Sequence, residues 1–319
     1  MHPETTPIIL QTRYITILDF ALLPFVITFV YALARYNRNS RYRPGHPWRR
    51  YYLPALGIKI FGAVFIGIIY QYYYGGGDTF NYFYHANIIN SALDESVGKW
   101  FNLLFHLPNQ FDPAYYNRYI SHMYWYDDPA SYTVCSVTAF FSLFTLNTYL
   151  PAAVLFAYFS FTGIWALFRT FAAVYPKFTR PIAFAVLFIP STFVWGSGIF
   201  KDTLSLAGLG WLTFAVFRML IRRDFGGKNW LLLIASFTLV FATKLYILLA
   251  FVPALGIWIL FWYTQRIPNK GVRVLIKFFF LALVLAGAFF FMQFYSSSLG
   301  KYSINNIQQT AETTRWWIG

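Results

Sequence analysis

The sequence holds one cysteine in 319 residues, Cys135. No intramolecular disulfide can form, and neither a zinc knot nor an iron–sulfur cluster has its ligands. Charge is scarce too, at 11% of residues against about 25% in ordinary soluble domains. Acids are the rarest class: 11 Asp and Glu stand against 25 Lys and Arg, for a formal charge of +14. In a soluble chain that surplus would point to nucleic acid. Here 58% of residues are apolar, 23% are aromatic and the mean hydropathy is +0.49, so the surplus reads as basic loops beside a bilayer, with no nucleic-acid partner. No internal repeat, low-complexity tract or flexible linker divides the chain, which predicts a single membrane domain over residues 1–319.

The apolar residues fall in separated runs of membrane-spanning length. The first, about residues 15–34, is followed by Arg35, Arg38, Arg41, Arg43, Arg49 and Arg50, which places the N-terminus outside and the Arg-rich loop in the cytoplasm. It lacks the basic start and cleavage site of a secretory signal and reads as a retained span. The second run, about 53–73, then travels outward and delivers Gly75-Gly76-Gly77-Asp78 to the outer face. From there to Tyr132 no run is long enough to span, and this outer loop of residues 75–132 holds Asp78, Asp94, Glu95, Asp112, Asp127 and Asp128 against only Lys99 and Arg118. Leu93, Val97, Trp100, Phe101 and Leu104 recur in it at helical spacing, with Ser91 and Asp94 as the cap, which predicts interfacial helices.

Further spans fit about 131–147, 150–169, 203–221, 230–243, 245–263 and 275–294. Residues 182–200, with Pro190, Gly196 and Gly198, read as a re-entrant pair of half-helices, which sets Arg169, Lys177 and Arg180 outside as an exception to the positive-inside rule. The fold class expected is therefore all-α: a polytopic membrane helix bundle of about 8–10 transmembrane segments, including the broken or re-entrant pair. Its location is a multi-pass integral membrane protein of the cell envelope, in the bacterial inner (cytoplasmic) membrane with the site facing outward. Trp316-Trp317-Ile318-Gly319 suggests a further approach to the membrane, and both a complete and a C-terminally truncated chain fit that ending.

Asp78 follows a span directly, after three glycines and among many aromatic residues. Either the glycines merely turn the chain below an interfacial aromatic belt, or they let a substrate approach while Asp78 acts as a general base. The missing Lys and Ser/Thr exclude a P-loop. Lys201 and Asp202 precede a span, and Lys244 has only uncharged neighbours for many residues, so both lysines are candidates to hold a phosphate. Tyr74, Tyr82, His85 and Trp195 are the candidate sugar contacts. Asp19 is an unassigned intramembrane charge, and Lys59 reads as a lysine snorkelling to the cytoplasm. His85, His106 and His122 share the outer loop with Asp112, Asp127 and Asp128, but no His-x-x-x-His or Asp-x-Asp spacing occurs; a divalent metal has no clear ligand motif.

A span ending in outer-face Asp78, a long first outer loop over about 79–130 and a second acid, Asp202, before a later span together resemble the GT-C superfamily of integral-membrane glycosyltransferases. That superfamily includes the protein mannosyltransferases and the lipid A aminoarabinose transferases. The resemblance covers roughly residues 50–295 and departs from the pattern in an extra leading span and in lacking the large soluble C-terminal domain of some members. It implies transfer of a sugar from a polyprenyl-phosphate-linked donor to a glycan, lipid or protein acceptor at the outer face. Asp78 and Asp202 would be catalytic, and Lys201 and Lys244 would bind the donor phosphate. The alternative is a transporter or flippase for a lipid-linked or anionic substrate, which also uses broken helices. An O-antigen polymerase or ligase would lean on Arg and His in a large late outer loop, which this chain lacks.

Overall fold

The computed structural model describes residues 14–295, and every regular element among them is helical. Five of these helices are long and apolar enough to cross a bilayer: α1 (Ile17–Arg41), α2 (Arg49–Tyr72), α6 (Tyr149–Val174), α9 with the π-helical turn that extends it (Lys201–Ile221), and α10 (Gly227–Thr264). A helix satisfies its backbone polar groups internally, so these apolar runs can enter hydrocarbon without stranding a donor or acceptor. The shorter helices are α3 (Asp78–Ser91), α4 (Val97–Leu104), α5 (Pro129–Leu143), α7 (Thr179–Leu187) and α8 (Pro190–Val194). The chain divides into two compact units, Met1–Leu248 and Leu249–Gly319.

Contacts at the helix ends give each crossing of the first unit its direction. Asp19, 1% exposed, accepts from the Thr16 N–H and hydroxyl, both at 2.9 Å, and from the Leu150 N–H at 2.8 Å. One carboxylate thus caps the starts of α1 and α6, which lie at the same end of the bundle. At the opposite end Trp165 of α6 donates to the Tyr42 hydroxyl at 2.9 Å, and the Phe168 ring packs edge-on against Trp48 and Tyr51. α6 therefore runs parallel to α1 and ends beside the Arg-rich loop. Arg169, Lys177 and Arg180 belong to that end, and the exception to the positive-inside rule disappears.

The chain returns through residues 179–200. α7 has 9 residues and α8 has 5, so at 1.5 Å per residue neither approaches the ~30 Å of a bilayer core. Their segment starts where α6 ends, at the Arg-rich end, and finishes with Phe200 stacked edge-on against Tyr70 at 5.6 Å, near the far end of α2. It is a broken crossing and does not turn back, contrary to the re-entrant expectation. Conversely, α5 does not cross, although a span was expected over 131–147. It has 15 residues and runs parallel to α3, with His85 beside Cys135 and Asn90 beside Ala139. Its exit leads to Tyr149, whose hydroxyl lies 2.7 Å from that of Thr79. The two corrections cancel, so Lys201, Asp202 and Lys244 still fall at the Asp78 end.

Close packing locks the bundle. A Cβ on Gly163 of α6 or on Gly210 of α9 would overlap the facing backbone, so these glycines let the two helices touch, as small residues do between membrane helices. α4 is amphipathic as expected, with Val97, Phe101 and Phe105 exposed beyond its packed face. Its cap is Ser96, which accepts from Gly98 N–H at 3.1 Å. Ser91 instead precedes a short 3-10 turn, Ala92–Asp94, of which Asp94 is the last residue. In the second unit, α10 packs on α11 (Lys270–Tyr295) through Gly256 against Phe280 and Lys277 over the Phe261 ring. Residues 316–319 lie outside the described residues.

Candidate functional site

Three helices begin next to one another at the Asp78 end. Asp78 opens α3 after Gly75, Gly76 and Gly77, all with positive φ (70°, 154° and 128°). A Cβ at Gly77 would meet the Tyr70 ring at 2.6 Å. The run turns the chain sharply over an aromatic ring, which only glycine permits at those dihedrals. Asp78 is exposed and has no hydrogen bond or ion pair among the described residues. Its charge still acts locally. Tyr82, one turn along α3 and 4% exposed, has its phenol pushed up first by burial and then by the Asp78 carboxylate. Tyr124 is pushed up to about 12, chiefly by burial.

Asp128 caps α5, and the Asp-Pro start with Ser131 in the first turn is a standard helix opening. One oxygen accepts from Ala130 N–H at 3.2 Å. The other takes the Ser131 hydroxyl at 2.6 Å and the Lys201 ammonium at 3.0 Å. Burial alone would raise this carboxyl, but those donors outweigh it and hold it below the usual range. Lys201 and Asp202 are the first two residues of α9. Asp202 in turn holds Lys244 at 2.6 Å, with side-chain exposures of 51% and 15%. Lys244 sits where α10 is interrupted, at φ −148° and ψ 75°. The result is a chain of alternating charge, Asp128, Lys201, Asp202, Lys244, drawn from three elements, with Asp78 beside it as an unpaired acid.

A cavity of about 370 Å³ opens next to this chain. Ser191, Thr192, Ser205 and Asp202 are its polar lining, and Leu206 and Leu209 line it with apolar side chains. Trp195, 48% exposed, lines it as well. The wall formed by α8 is held from behind by Lys59. That side chain is 1% exposed and donates to the carbonyls of Gly196 and, at 3.3 Å, Thr192. Ser160 donates to the same Gly196 oxygen at 2.8 Å. Lys59 therefore does not snorkel: it lies near the middle of α2, and its ammonium is taken up by the freed carbonyls of the broken segment.

The expected residues separate accordingly. Asp78, Lys201, Asp202, Lys244 and Trp195 come to one end of the bundle. Tyr74 is on the surface, 62% exposed, and Tyr82 is buried beside Asp78. His85 leaves the set of sugar contacts. It is 0% exposed, with Nδ1 3.8 Å from Cys135 Sγ and its ring 4.4 Å from that of Tyr124, so it presents no surface to a ligand. His106 stacks on Tyr132, and Arg118 pairs with Glu95. No group of three or more His, Cys, Asp or Glu side chains among the described residues could hold a metal ion. Asp128 as the partner of Lys201 is the residue that sequence reasoning underweighted, although its capping pattern was legible. The role of Lys59 had no local signal.

Comparison of the chain with protein-family models, curated proteins and solved structures finds no match.

Proposed function

We propose that the Asp78 end is the active site of a GT-C-type glycosyltransferase that moves a sugar from a polyprenyl-phosphate-linked donor to an acceptor hydroxyl. The Arg-rich end then faces the cytoplasm, and the site faces outward from a bacterial inner membrane, where nucleotide-activated sugars are normally lacking. The observation that carries the reading is the placement of unpaired Asp78 at the same end as the Lys201–Asp128 and Lys244–Asp202 ion pairs, beside a cavity lined by both polar and apolar side chains. A donor with a charged headgroup and a hydrocarbon tail needs both surfaces.

In this reading the Asp78 carboxylate takes the acceptor hydroxyl proton as the oxygen attacks the anomeric carbon. The bond from that carbon to the phosphate oxygen breaks, and the phosphate leaves with the electron pair. Lys201 and Lys244 turn from their aspartates toward the phosphate and stabilise the charge it gains. Asp128 and Asp202 hold the two ammonium groups in place until donor arrives. Trp195 offers a ring face to a sugar. The test is Asp78→Asn with a radiolabelled polyprenyl-phosphate sugar in reconstituted vesicles. Transfer should fall by at least about a hundredfold, the usual contribution of a general base, with insertion and yield unchanged. Transfer at the wild-type rate removes Asp78 from this role.

A transporter of a lipid-linked or anionic substrate is the second reading. It is favoured by the broken α7–α8 crossing and by buried Lys59 on its carbonyls, since discontinuous helices commonly form transport sites. It requires substrate movement across the vesicle membrane that persists in Asp78→Asn.

A further inference from the structure

The Arg-rich end carries a second concentration of charge that the transfer reading does not use. Arg169, on α6, is half-buried, and its guanidinium lies 4.6 Å from the centre of the Phe214 ring of α9. It has no hydrogen bond and no carboxylate partner among the described residues. Arg41, the last residue of α1, precedes Tyr42, whose hydroxyl accepts at 2.9 Å from Trp165, one turn before Arg169, and Arg218, in the π-helical turn after α9, lies one turn beyond Phe214, so both bring like charge to the same end. The one acid at this end among the described residues, Asp224, pairs with Arg218.

A guanidinium carries five N–H donors in a fixed fork, and leaving such a group partly out of water with none of them filled is costly. Stacking on Phe214 offsets a fraction of that cost. Two neighbours of like charge add to it. A lysine or arginine that merely snorkels points its head away from the bundle toward water, whereas Arg169 turns inward between α6 and α9. Three guanidiniums from three separate elements, answered by one carboxylate, leave a deficit of negative charge that an anion would fill. The planar fork of Arg matches phosphate oxygens in particular.

We propose that Arg41, Arg169 and Arg218 form a binding site for one phosphate group at the Arg-rich end, supplied by the phosphodiester of an anionic lipid or by inorganic phosphate. The site lies at the opposite end from Asp78 and does not depend on the transfer reading.

The full chain in neutral detergent is titrated with phosphatidylglycerol and, separately, phosphatidylcholine, with bound lipid counted by native mass spectrometry. A second arm adds millimolar inorganic phosphate and follows the melting temperature and the displacement of bound phosphatidylglycerol. One phosphatidylglycerol should bind beyond the phosphatidylcholine level. Arg169→Gln should weaken it roughly ten- to hundredfold, the worth of hydrogen bonds to a charged group. Arg41→Gln, an exposed position at a helix end that leaves the packing intact, should weaken it roughly tenfold. Arg180→Gln removes the same charge from the same end and should change nothing. Displacement by inorganic phosphate identifies a soluble source, and its failure identifies the lipid. Unchanged binding by Arg169→Gln and Arg41→Gln overturns the site, as does an equal loss in Arg180→Gln. Should Arg169→Gln not fold, Arg41→Gln against Arg180→Gln decides alone.

Discussion

Asp19→Ala tests most sharply whether an intramembrane charge serves the architecture or the chemistry. The carboxylate accepts three hydrogen bonds, from the Thr16 N–H and hydroxyl and from the Leu150 N–H, and it is 1% exposed. Hydrogen bonds to a charged acceptor contribute about 1.5–3 kcal/mol each, and their losses do not add because the donors relax together. The loss of one helix cap costs about 1 kcal/mol, and a buried donor left unsatisfied adds about 1–3 kcal/mol. A loss of about 3 kcal/mol follows. For a chain of this size, with about 2.1 cal/mol/K of unfolding entropy per residue, that lowers the melting temperature by roughly 4–6 °C. Asp19→Asn keeps one carbonyl for Leu150 but turns an amide donor toward the Thr16 donors, so its loss should be about half as large. Thermal unfolding in detergent, followed by size-exclusion chromatography, measures both. If Asp19→Ala melts within about 2 °C of the wild type while sugar transfer is abolished, Asp19 acts in the chemistry and the double-cap account fails.

Lys59→Met should leave the Thr192 carbonyl without its donor while Ser160 still serves Gly196. Hydrogen exchange over residues 190–200 should then rise at least tenfold; exchange at the wild-type rate would mean that Lys59 does not hold the broken segment. Single cysteines at Lys177 and Asp202 should react with a membrane-impermeant thiol reagent from opposite sides of the membrane, since residues 179–200 connect opposite ends of the bundle. Cys135 is fully buried and should stay silent, and labelling of both positions from one side would restore the re-entrant path. His85 is held down to about 4 by burial, against 6.5 in the unfolded chain. The unfolded state therefore binds the extra proton first as pH falls, and stability drops by up to about 1.4 kcal/mol per pH unit between those two values. His85→Gln should flatten that part of the melting profile, and an unchanged slope would place the titrating group elsewhere.

The membrane class, the all-helical content and the approximate positions of the long spans were legible in the sequence, because hydropathy and helical spacing are properties of short windows. The interfacial helix near residues 97–104 was legible for the same reason, although its cap was misassigned by five residues, from Ser91 to Ser96. Asp78, Lys201, Asp202 and Lys244 stood out because ionised groups among apolar runs are too costly to be incidental. Pro190 with its neighbouring glycines marked a break in the helix, as it does in the structure.

What hydropathy could not decide was which apolar runs cross. Direction through a bilayer is a matter of parity, so α5 and the α7–α8 segment, both misread, cancelled each other and left the later helices at the expected end. Only contacts over long chain separations resolved the path, such as Leu150 on Asp19 and Trp165 on Tyr42. The same holds for charge. The scarcity of acids was evident from composition, but the assignment of Asp128 to Lys201, of Asp202 to Lys244 and of no acid to Arg169 arises where separate helices meet. Local sequence determines what each segment must bury. Tertiary packing determines which charge is answered and which stands open to a ligand.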